Sequence, residues 1–207
     1  MQINSDIINI YKTLANAGIP DNGVYAIMGN MYVESALRAD NMQNSYEKRL
    51  GYNDKTYTNA VDNGTYSVDS FAHDACGYGL CQWTYWTRKQ ALAEFAKVTN
   101  RSIGDPIMQA EFCIRELQSG YKAVWNTLCA KGNDLYTNVK YFCVNYEKPA
   151  NQSESAILNR YTKAGEVRNA IEEWKATLQY AEDEEEVYIL PKKDYDTIME
   201  ILGRIKV

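Results

Sequence analysis

Apolar residues recur at the spacing of an α-helix over most of this 207-residue chain. Val24, Ile27, Met28 and Met31, for example, lie on one side of a helix predicted over residues 22–37. Capping residues before such segments, and glycine or proline after them, mark where the helices begin and end. The spacing therefore predicts a mainly α domain, because apolar stripes of this kind are buried by packing one helix against another.

One long stretch, residues 40–76, departs from the helical pattern and is polar and rich in tyrosine. It contains the turn sequence Asp62-Asn63-Gly64, which Tyr57 and Tyr66 flank together with two valines. An Asn-Gly turn between such residues is typical of a β-hairpin. We therefore expect an α+β fold that is mainly α: a helical domain with a small β-hairpin excursion and a short C-terminal helix.

Charge and composition exclude several classes of partner. The net charge of −5 argues against nucleic acid, since proteins that bind it usually carry a basic stripe. No stretch approaches the roughly 18 consecutive apolar residues of a membrane span, and no signal segment is recognisable, so we expect no membrane partner and synthesis in the cytoplasm. The surplus of aromatic residues, 17 tyrosines and four tryptophans, suits sugar binding as well as core packing.

The cysteines and the single histidine indicate no disulfide framework and no metal site. The cysteines form no CxxC pair and three fall in helical patterns, so we expect buried free thiols. A lone histidine, His73, cannot make a multi-histidine metal site, and no oriented third group supports a Cys–His peptidase dyad. We expect neither metal nor cofactor. The cysteines are Cys76, Cys81, Cys113, Cys129 and Cys143.

Glu34 is the strongest candidate for a chemical role. It lies at the margin of the apolar side of the predicted helix, about one turn from the helix C-terminus. Partial desolvation raises the pKa of a carboxyl group, and the negative end of the helix dipole acts in the same direction. A protonated glutamic acid is what a glycosidase needs as its general acid. From the helix alone, a solvated surface glutamate remains the alternative.

The residues around Glu34 follow a recognisable order. Ser35 comes next, and about forty residues later the sequence Gly77-Tyr78-Gly79-Leu80-Cys81-Gln82 opens the following helical segment. A Glu-Ser pair, a polar excursion and Gly-x-Gly-Leu-x-Gln in this order resemble the core signature of lysozyme-like and lytic-transglycosylase domains. Glycines there would let the backbone approach a sugar closely, and Gln82 would hydrogen-bond it.

Further motifs extend this resemblance to the phage tail lysozyme and endolysin family over roughly residues 5–178. The resemblance implies a lysozyme-like helical fold and hydrolysis of the glycan strand of bacterial peptidoglycan, which is then the expected partner. The motifs are Thr56-Tyr57, residues 61–66, Phe71 to Asp74, residues 77–89, Phe142 to Pro149, Arg160 and Ala164.

The resemblance also suggests roles for individual residues. Glu34 would donate the proton to the leaving sugar, and Asp74, or in second place Asp69, would orient water or stabilise positive charge. Asp74 could equally be a capping or turn aspartate, and lytic transglycosylases manage with one glutamate. Glu147 is a candidate for substrate contact, with a structural role at a helix end as the alternative. The aromatic candidates for sugar contact are Tyr66, Tyr78, Trp83, Tyr85 and Trp86.

Three activities fit these residues. The first is an endolysin-type muramidase, a glycoside hydrolase that is made in the host cytoplasm and acts on the cell wall after release. The second is a lytic transglycosylase, in which the C6 hydroxyl of the sugar attacks and gives a 1,6-anhydro product. The third is a non-catalytic wall-binding or virion-hub module that keeps the lysozyme shape.

The C-terminal part is predicted to stand apart from the catalytic domain. Residues 1–180 fit one domain of ordinary size, and the like charges in residues 181–186 predict an acidic linker. Residues 187–207 then form a helical appendage too short to bury its own apolar stripe. Its partner is this domain, the cell wall or a second copy, and the lack of a sugar-binding aromatic cluster favours a homo-oligomer. The stripe is Ile198, Ile201, Leu202 and Ile205.

Overall fold

The computed structural model describes the backbone of residues 1–187 and the side chains of residues 1–179. Ten α-helices and one π-helical turn follow one another in that part of the chain. The prediction of a mainly α fold is confirmed. The elements are α1 Ser5–Asn16, α2 Asp21–Ser35, α3 Asn44–Leu50, α4 Asp54–Asp62, α5 Val68–His73, α6 Trp86–Thr99, α7 Pro106–Ser119, α8 Lys122–Cys129, α9 Leu135–Phe142, the π-helical turn Cys143–Glu147, and α10 Glu154–Val187.

Side-chain caps determine where many of these helices begin. In each case an Asn, Ser or Asp side chain accepts a hydrogen bond from a backbone N–H of the first turn, which would otherwise lack a partner. Asp105 is followed by Pro106 at the first helical position, as the sequence predicted. The capping residues are Asn4, Asn53, Ser67, Asp105 and Asp134.

The predicted β-hairpin around Asp62-Asn63-Gly64 is wrong, because helices lie on both sides of that turn. Asn53 and Thr56 form a reciprocal capping box that starts α4, and Ser67 caps α5. Gly64, with φ of 79°, makes the turn between the two helices. In the described residues, bridges of the β type are limited to two isolated pairs, Met42 with Tyr78 and Tyr78 with Trp83.

Helix α2 lies at the centre of the described helices and packs against α1, α8 and α9. Ten of its 15 residues are buried, so it is enclosed on nearly all sides instead of presenting a single apolar stripe. Gly29 allows an especially close approach of α10, because a Cβ at this position would lie 2.5 Å from Cβ of Ala164. The last turn of α2, which carries Glu34, is therefore anchored in the core.

The chain divides into two compact units, Met1–Asn169 and Ala170–Val207, and the boundary falls within α10. Residues 181–186, predicted to be a linker, are helical and belong to α10. Beyond Val187 the predicted appendage, its apolar stripe and its role in self-association lie outside the described residues. The predicted domain end near residue 180 thus stays a prediction.

None of the described helices is both long and apolar enough to cross a membrane. The five cysteines all lie in the described part of the chain and are free. Four of them are buried and Cys129 is half-buried, in agreement with the prediction of free thiols.

Replacing Gly29 by alanine is expected to lower the free energy of unfolding by about 1–3 kcal/mol, because the added methyl group forces α2 and α10 apart. Gly165→Ala is the matched control. It adds the same methyl group to a helical glycine where the new Cβ would meet no atom of another segment within 4 Å. This variant should therefore stabilise the protein by about 0.5–1 kcal/mol. Urea unfolding of both variants measures the difference, and equal effects would refute the close approach of the two helices.

Candidate active site

Glu34 lies at the edge of an open cleft. Its side chain is 21% exposed, and it lines two cavities of about 610 and 480 Å³. The two cavities share Glu34, Gln43 and Gln82, so they are two lobes of one groove that meet beside the Glu34 carboxyl. We call this groove the cleft. The structure therefore brings together Glu34 and Gln82, which the sequence had placed 48 positions apart.

Arg160 of α10 holds the Glu34 carboxylate in position. Its Nη2 donates a hydrogen bond of 2.5 Å to Oε1 of Glu34, and its Nη1 lies 3.2 Å from Oδ1 of Asn30. The Arg160 side chain is only 5% exposed. A buried guanidinium needs charged or polar partners, and here all the partners come from α2. The pair fixes the glutamate against the core and sets its direction.

The hydrogen bonds of Ser35 account for the serine that follows Glu34 in the sequence. Its hydroxyl lies 3.0 Å from the carbonyl oxygen of Met31 and 3.1 Å from that of Leu80. It therefore connects the end of α2 to the loop of residues 77–82, which we call the glycine loop. The next two residues, Ala36 and Leu37, both have left-handed backbone angles, with φ of 54° and 61°. Such angles are strained for residues other than glycine and concentrate at functional sites. They turn the chain sharply so that it enters the wall of the cleft.

A buried glutamine positions the loop of residues 77–82. Gln109 accepts a hydrogen bond of 2.8 Å from the N–H of Leu80 and donates one of 2.7 Å to the carbonyl of Ala39. Gly79 has φ of 75°, and a Cβ at this position would lie 2.4 Å from Oε1 of Gln109. Glycine is required there for both its backbone angle and its small size.

Gln82 lines both lobes of the cleft through its side chain. Its amide nitrogen donates to the carbonyl of Asn41 at 2.9 Å and to that of Gly79 at 3.2 Å. The backbone of Gln82 is also left-handed, with φ of 45°. Because its nitrogen is held by the backbone, its oxygen is the atom that can accept a hydrogen bond from a bound sugar.

Glu147, a predicted substrate contact, lies in the larger lobe of the cleft at the end of the π-helical turn. Its Oε1 is buried and has no hydrogen-bond partner among the described residues. Burial raises the pKa of this carboxyl to about 8, with a further contribution from the negative charge of Glu34, while Arg88 and Arg160 act in the opposite direction. At neutral pH Glu147 is therefore largely a neutral carboxylic acid.

Trp83 is not in the cleft, because its ring is fully buried. Its indole N–H donates to Glu116 at 2.9 Å, and Arg88 binds the same carboxylate with two hydrogen bonds of 2.7 and 2.8 Å. The hydroxyl of Tyr146 donates a fourth hydrogen bond to this carboxylate, at 2.6 Å. Glu116 thus organises one wall of the cleft, and the predicted sugar contact by Trp83 is replaced by a structural role.

Asp74 lies outside the cleft, in a buried cluster. Its carboxylate is 3% exposed and pairs with the fully buried ammonium of Lys89. The hydroxyls of Tyr57 and Tyr66 also donate to it, and so does the N–H of Cys76. A carboxylate with all of these partners has no face open to water or sugar. The arrangement agrees with the turn and capping alternative, not with a catalytic one.

The aromatic candidates are divided between core and surface. Tyr66 packs on Tyr57, and Tyr78 is fully buried with its hydroxyl 2.6 Å from that of Thr58, so neither lines the cleft. Tyr85 does line it and is 62% exposed. Trp86 is 44% exposed but stacks on His73 outside the two lobes. Asp69, the second candidate carboxylate, is exposed beside His73.

The described residues contain no group of three or more His, Cys, Asp or Glu side chains that could hold a metal ion. The side chains that line the cleft include carboxyl groups, amides and cations, among them Glu34, Gln82 and Arg88. Sequence reasoning missed Arg160, Arg88, Gln43 and Gln109. Arg160 belongs to a quoted motif, but its distance from Glu34 along the chain gave no sign of their contact.

The family model described as phage tail lysozyme matches residues 6–175, which is most of the chain. Among curated proteins none matches. The matched range includes every residue that lines the cleft.

Lys89→Met is expected to lower the free energy of unfolding by about 3–5 kcal/mol, because it leaves the Asp74 carboxylate buried without its cation. The double variant Lys89→Met/Asp74→Asn should recover part of this loss, since no charge remains in the cluster. Denaturant unfolding of the two variants and the wild type measures the effect. A single variant as stable as the wild type would refute the buried pair.

Proposed function

The chain belongs to the phage tail lysozyme family, and from this premise we propose that it is a muramidase that hydrolyses the β-1,4 bond between N-acetylmuramic acid and N-acetylglucosamine. The family supports a lysozyme-like, peptidoglycan-degrading function. One observation carries the finer proposal: the carboxyl of Glu34 is fixed by buried Arg160 at the junction of the two cleft lobes, beside Gln82.

In this proposal Glu34 donates a proton to the bridging oxygen as the bond to the leaving sugar breaks. The sugar that remains develops positive charge, and water adds to it. The position of Glu34 suits this role, because a glycan strand bound along the cleft would run past the Glu34 carboxyl at the point where the two lobes meet. Gln82 accepts a hydrogen bond from the strand through its oxygen and sets the register of the sugar rings.

Sugar binding is proposed to use the exposed ring of Tyr85 together with the polar edge of Gln43 and Gln82. Flat aromatic rings stack on the apolar faces of sugars, while amides fix the orientation of their hydroxyl and acetamido groups. Tyr85 suits the first role because it lines the larger lobe and is largely exposed. Tyr66, Tyr78 and Trp83 have no part in this proposal, because none of them lines either lobe of the cleft.

A lytic transglycosylase is the second candidate, and the cleft offers a specific reason to consider it. Glu34 and Glu147 are the acidic residues that line the two lobes. Asp74 is held by Lys89, and Asp69 is exposed elsewhere, so neither is available to orient a water molecule. An enzyme that uses the sugar's own C6 hydroxyl as the nucleophile needs no such carboxylate.

The place of action is part of the same proposal. The protein would be made in the host cytoplasm and would act on the bacterial wall after release, as endolysins do. Its partner in this setting is the glycan strand.

Wild-type protein is expected to release muropeptides with reducing ends from purified cell wall, and Glu34→Gln should lower the rate by about a hundredfold or more. Mass spectrometry identifies the products, because an anhydro product is lighter by one water molecule. Glu94→Gln, the same change at an exposed residue of α6, is the control and should cleave normally. Anhydro ends would establish the transglycosylase, and no product from the wild type would leave only a binding module.

Tyr85→Ala is expected to raise KM for glycan fragments about 2- to 10-fold with little change in kcat, because stacking acts equally in the ground and transition states. Tyr161→Ala serves as the control, since Tyr161 is also exposed but does not line the cleft. Steady-state kinetics on soluble fragments would measure both. An unchanged KM for Tyr85→Ala would remove this ring from the binding site.

A further inference from the structure

The cleft contains two carboxyl groups in contrasting surroundings. Glu34 forms an ion pair with Arg160 and is 21% exposed. Glu147 lines the same lobe, but its Oε1 is buried and makes no hydrogen bond. An ionised carboxylate with a bare buried oxygen is costly, whereas a neutral carboxylic acid tolerates such a site far better. The geometry by itself thus favours an ionised carboxylate at Glu34 and a neutral carboxylic acid at Glu147.

The two arginines that act on Glu147 form ion pairs with other carboxylates. Arg160 bonds to Glu34, and Arg88 is held by two hydrogen bonds to Glu116. Neither forms an ion pair with Glu147 in the described residues. The ionisable groups that act on Glu147 or lie beside it are Glu34 of α2, Cys81 of the glycine loop, Arg88 of α6, Cys143 and Lys148 at the π-helical turn, and Arg160 of α10.

Cys81 lines the same lobe as Glu147, and its thiol acts to lower the pKa of the Glu147 carboxyl. Burial holds the pKa of the Cys81 thiol itself well above its usual range, so the thiol keeps its hydrogen. Desolvation and the charge of Glu34 outweigh the effect of Cys81, and the pKa of Glu147 rises to about 8. The carboxyl consequently keeps a proton at neutral pH.

We propose that Glu147 stores, in the resting enzyme, the proton that Glu34 delivers to the leaving sugar, so that the two carboxyl groups act as a pair carrying one proton. The inference rests on the proposed function and assigns Glu147 a role beyond substrate contact. It accounts for an otherwise conflicting observation: Glu34 is ion-paired as a carboxylate, yet a general acid must carry a proton. Two neighbouring carboxyls do not both ionise readily, so one proton belongs to the pair.

The proton count balances over one turnover. The carboxyl of Glu147 passes its proton, directly or through water in the cleft, to the carboxylate of Glu34. Glu34 gives it to the bridging oxygen as the bond from the anomeric carbon to that oxygen breaks. The water that forms the new bond to the anomeric carbon loses a proton, which returns to the pair. In a transglycosylase the C6 hydroxyl supplies that proton instead.

A carboxyl titration tests the pair without reference to activity. In full-length protein labelled with ¹³C at glutamate carboxyls, NMR should show one group with a midpoint near pH 8. That signal should be absent in Glu147→Gln, and in Glu34→Gln its midpoint should move to lower pH, because the neighbouring charge is gone. Glu94→Gln should leave it unchanged. No such group in the wild type, or an unmoved midpoint in Glu34→Gln, overturns the proposal.

The pH dependence of glycan cleavage tests delivery of the proton. In Glu147→Gln the ratio of variant to wild-type kcat should be lowest near pH 8 and should recover in acid, where Glu34 can take a proton from solvent. We expect the defect to grow by up to about tenfold for each pH unit from acid towards pH 8 and then to level off, because Glu147 itself ionises in the wild type. A purely structural role would give the same defect at every pH and would overturn the proposal, as would normal activity throughout.

The two tests also separate this proposal from the proposed function. A wild type that cleaves no glycan removes the function and the delivery step, while the titration still reports whether Glu147 is neutral. A wild type that cleaves glycan but lacks the titrating group near pH 8 keeps the function and removes the stored proton. The Glu34→Gln titration leaves Glu147 in place, so it does not depend on the folding of Glu147→Gln.

Discussion

The burial of α2 is the constraint on which the rest of the site depends. Because α1, α8 and α9 enclose this helix, its last turn has little freedom, and Glu34 takes one position at the edge of the core. Arg160 and Ser35 then fix what the helix presents: Arg160 holds the carboxyl, and Ser35 joins the helix end to the glycine loop. A group held in this way needs little reorganisation when substrate arrives.

Charge pairing explains which of the buried and partly buried carboxyl groups are available for catalysis. Asp74 is neutralised by Lys89, and Glu116 by Arg88, so both carboxylates serve as fixed supports for the cleft walls. Glu34 is also paired, but part of its side chain remains exposed in the groove. Among these four, Glu147 alone has no ion pair with any described residue, and because burial raises its pKa it keeps its proton at neutral pH.

The tyrosine surplus has mainly a structural role. Tyr52, Tyr57, Tyr66, Tyr78 and Phe71 contact one another in a continuous aromatic cluster around Asp74 and Lys89. Their hydroxyls satisfy buried polar groups, as in the contacts of Tyr57 and Tyr66 with Asp74. Composition therefore could not tell sugar-binding rings from core rings. That distinction depends on exposure, and among the predicted rings Tyr85 alone is both exposed and on the cleft.

The sequence by itself determined the order of the motifs and most of the helices outside residues 40–76, because spacing, caps and breakers act over a few residues. It also singled out Glu34, Ser35 and Gln82. The hairpin failed because an Asp-Asn-Gly turn can join helices as well as strands, and the caps at Asn53 and Ser67 outweighed it. Only the tertiary structure decided that Arg160, 126 positions away, holds Glu34, and that no cation in the described part of the chain forms an ion pair with Glu147. Which charges meet depends on how the helices pack, and no local pattern encodes it.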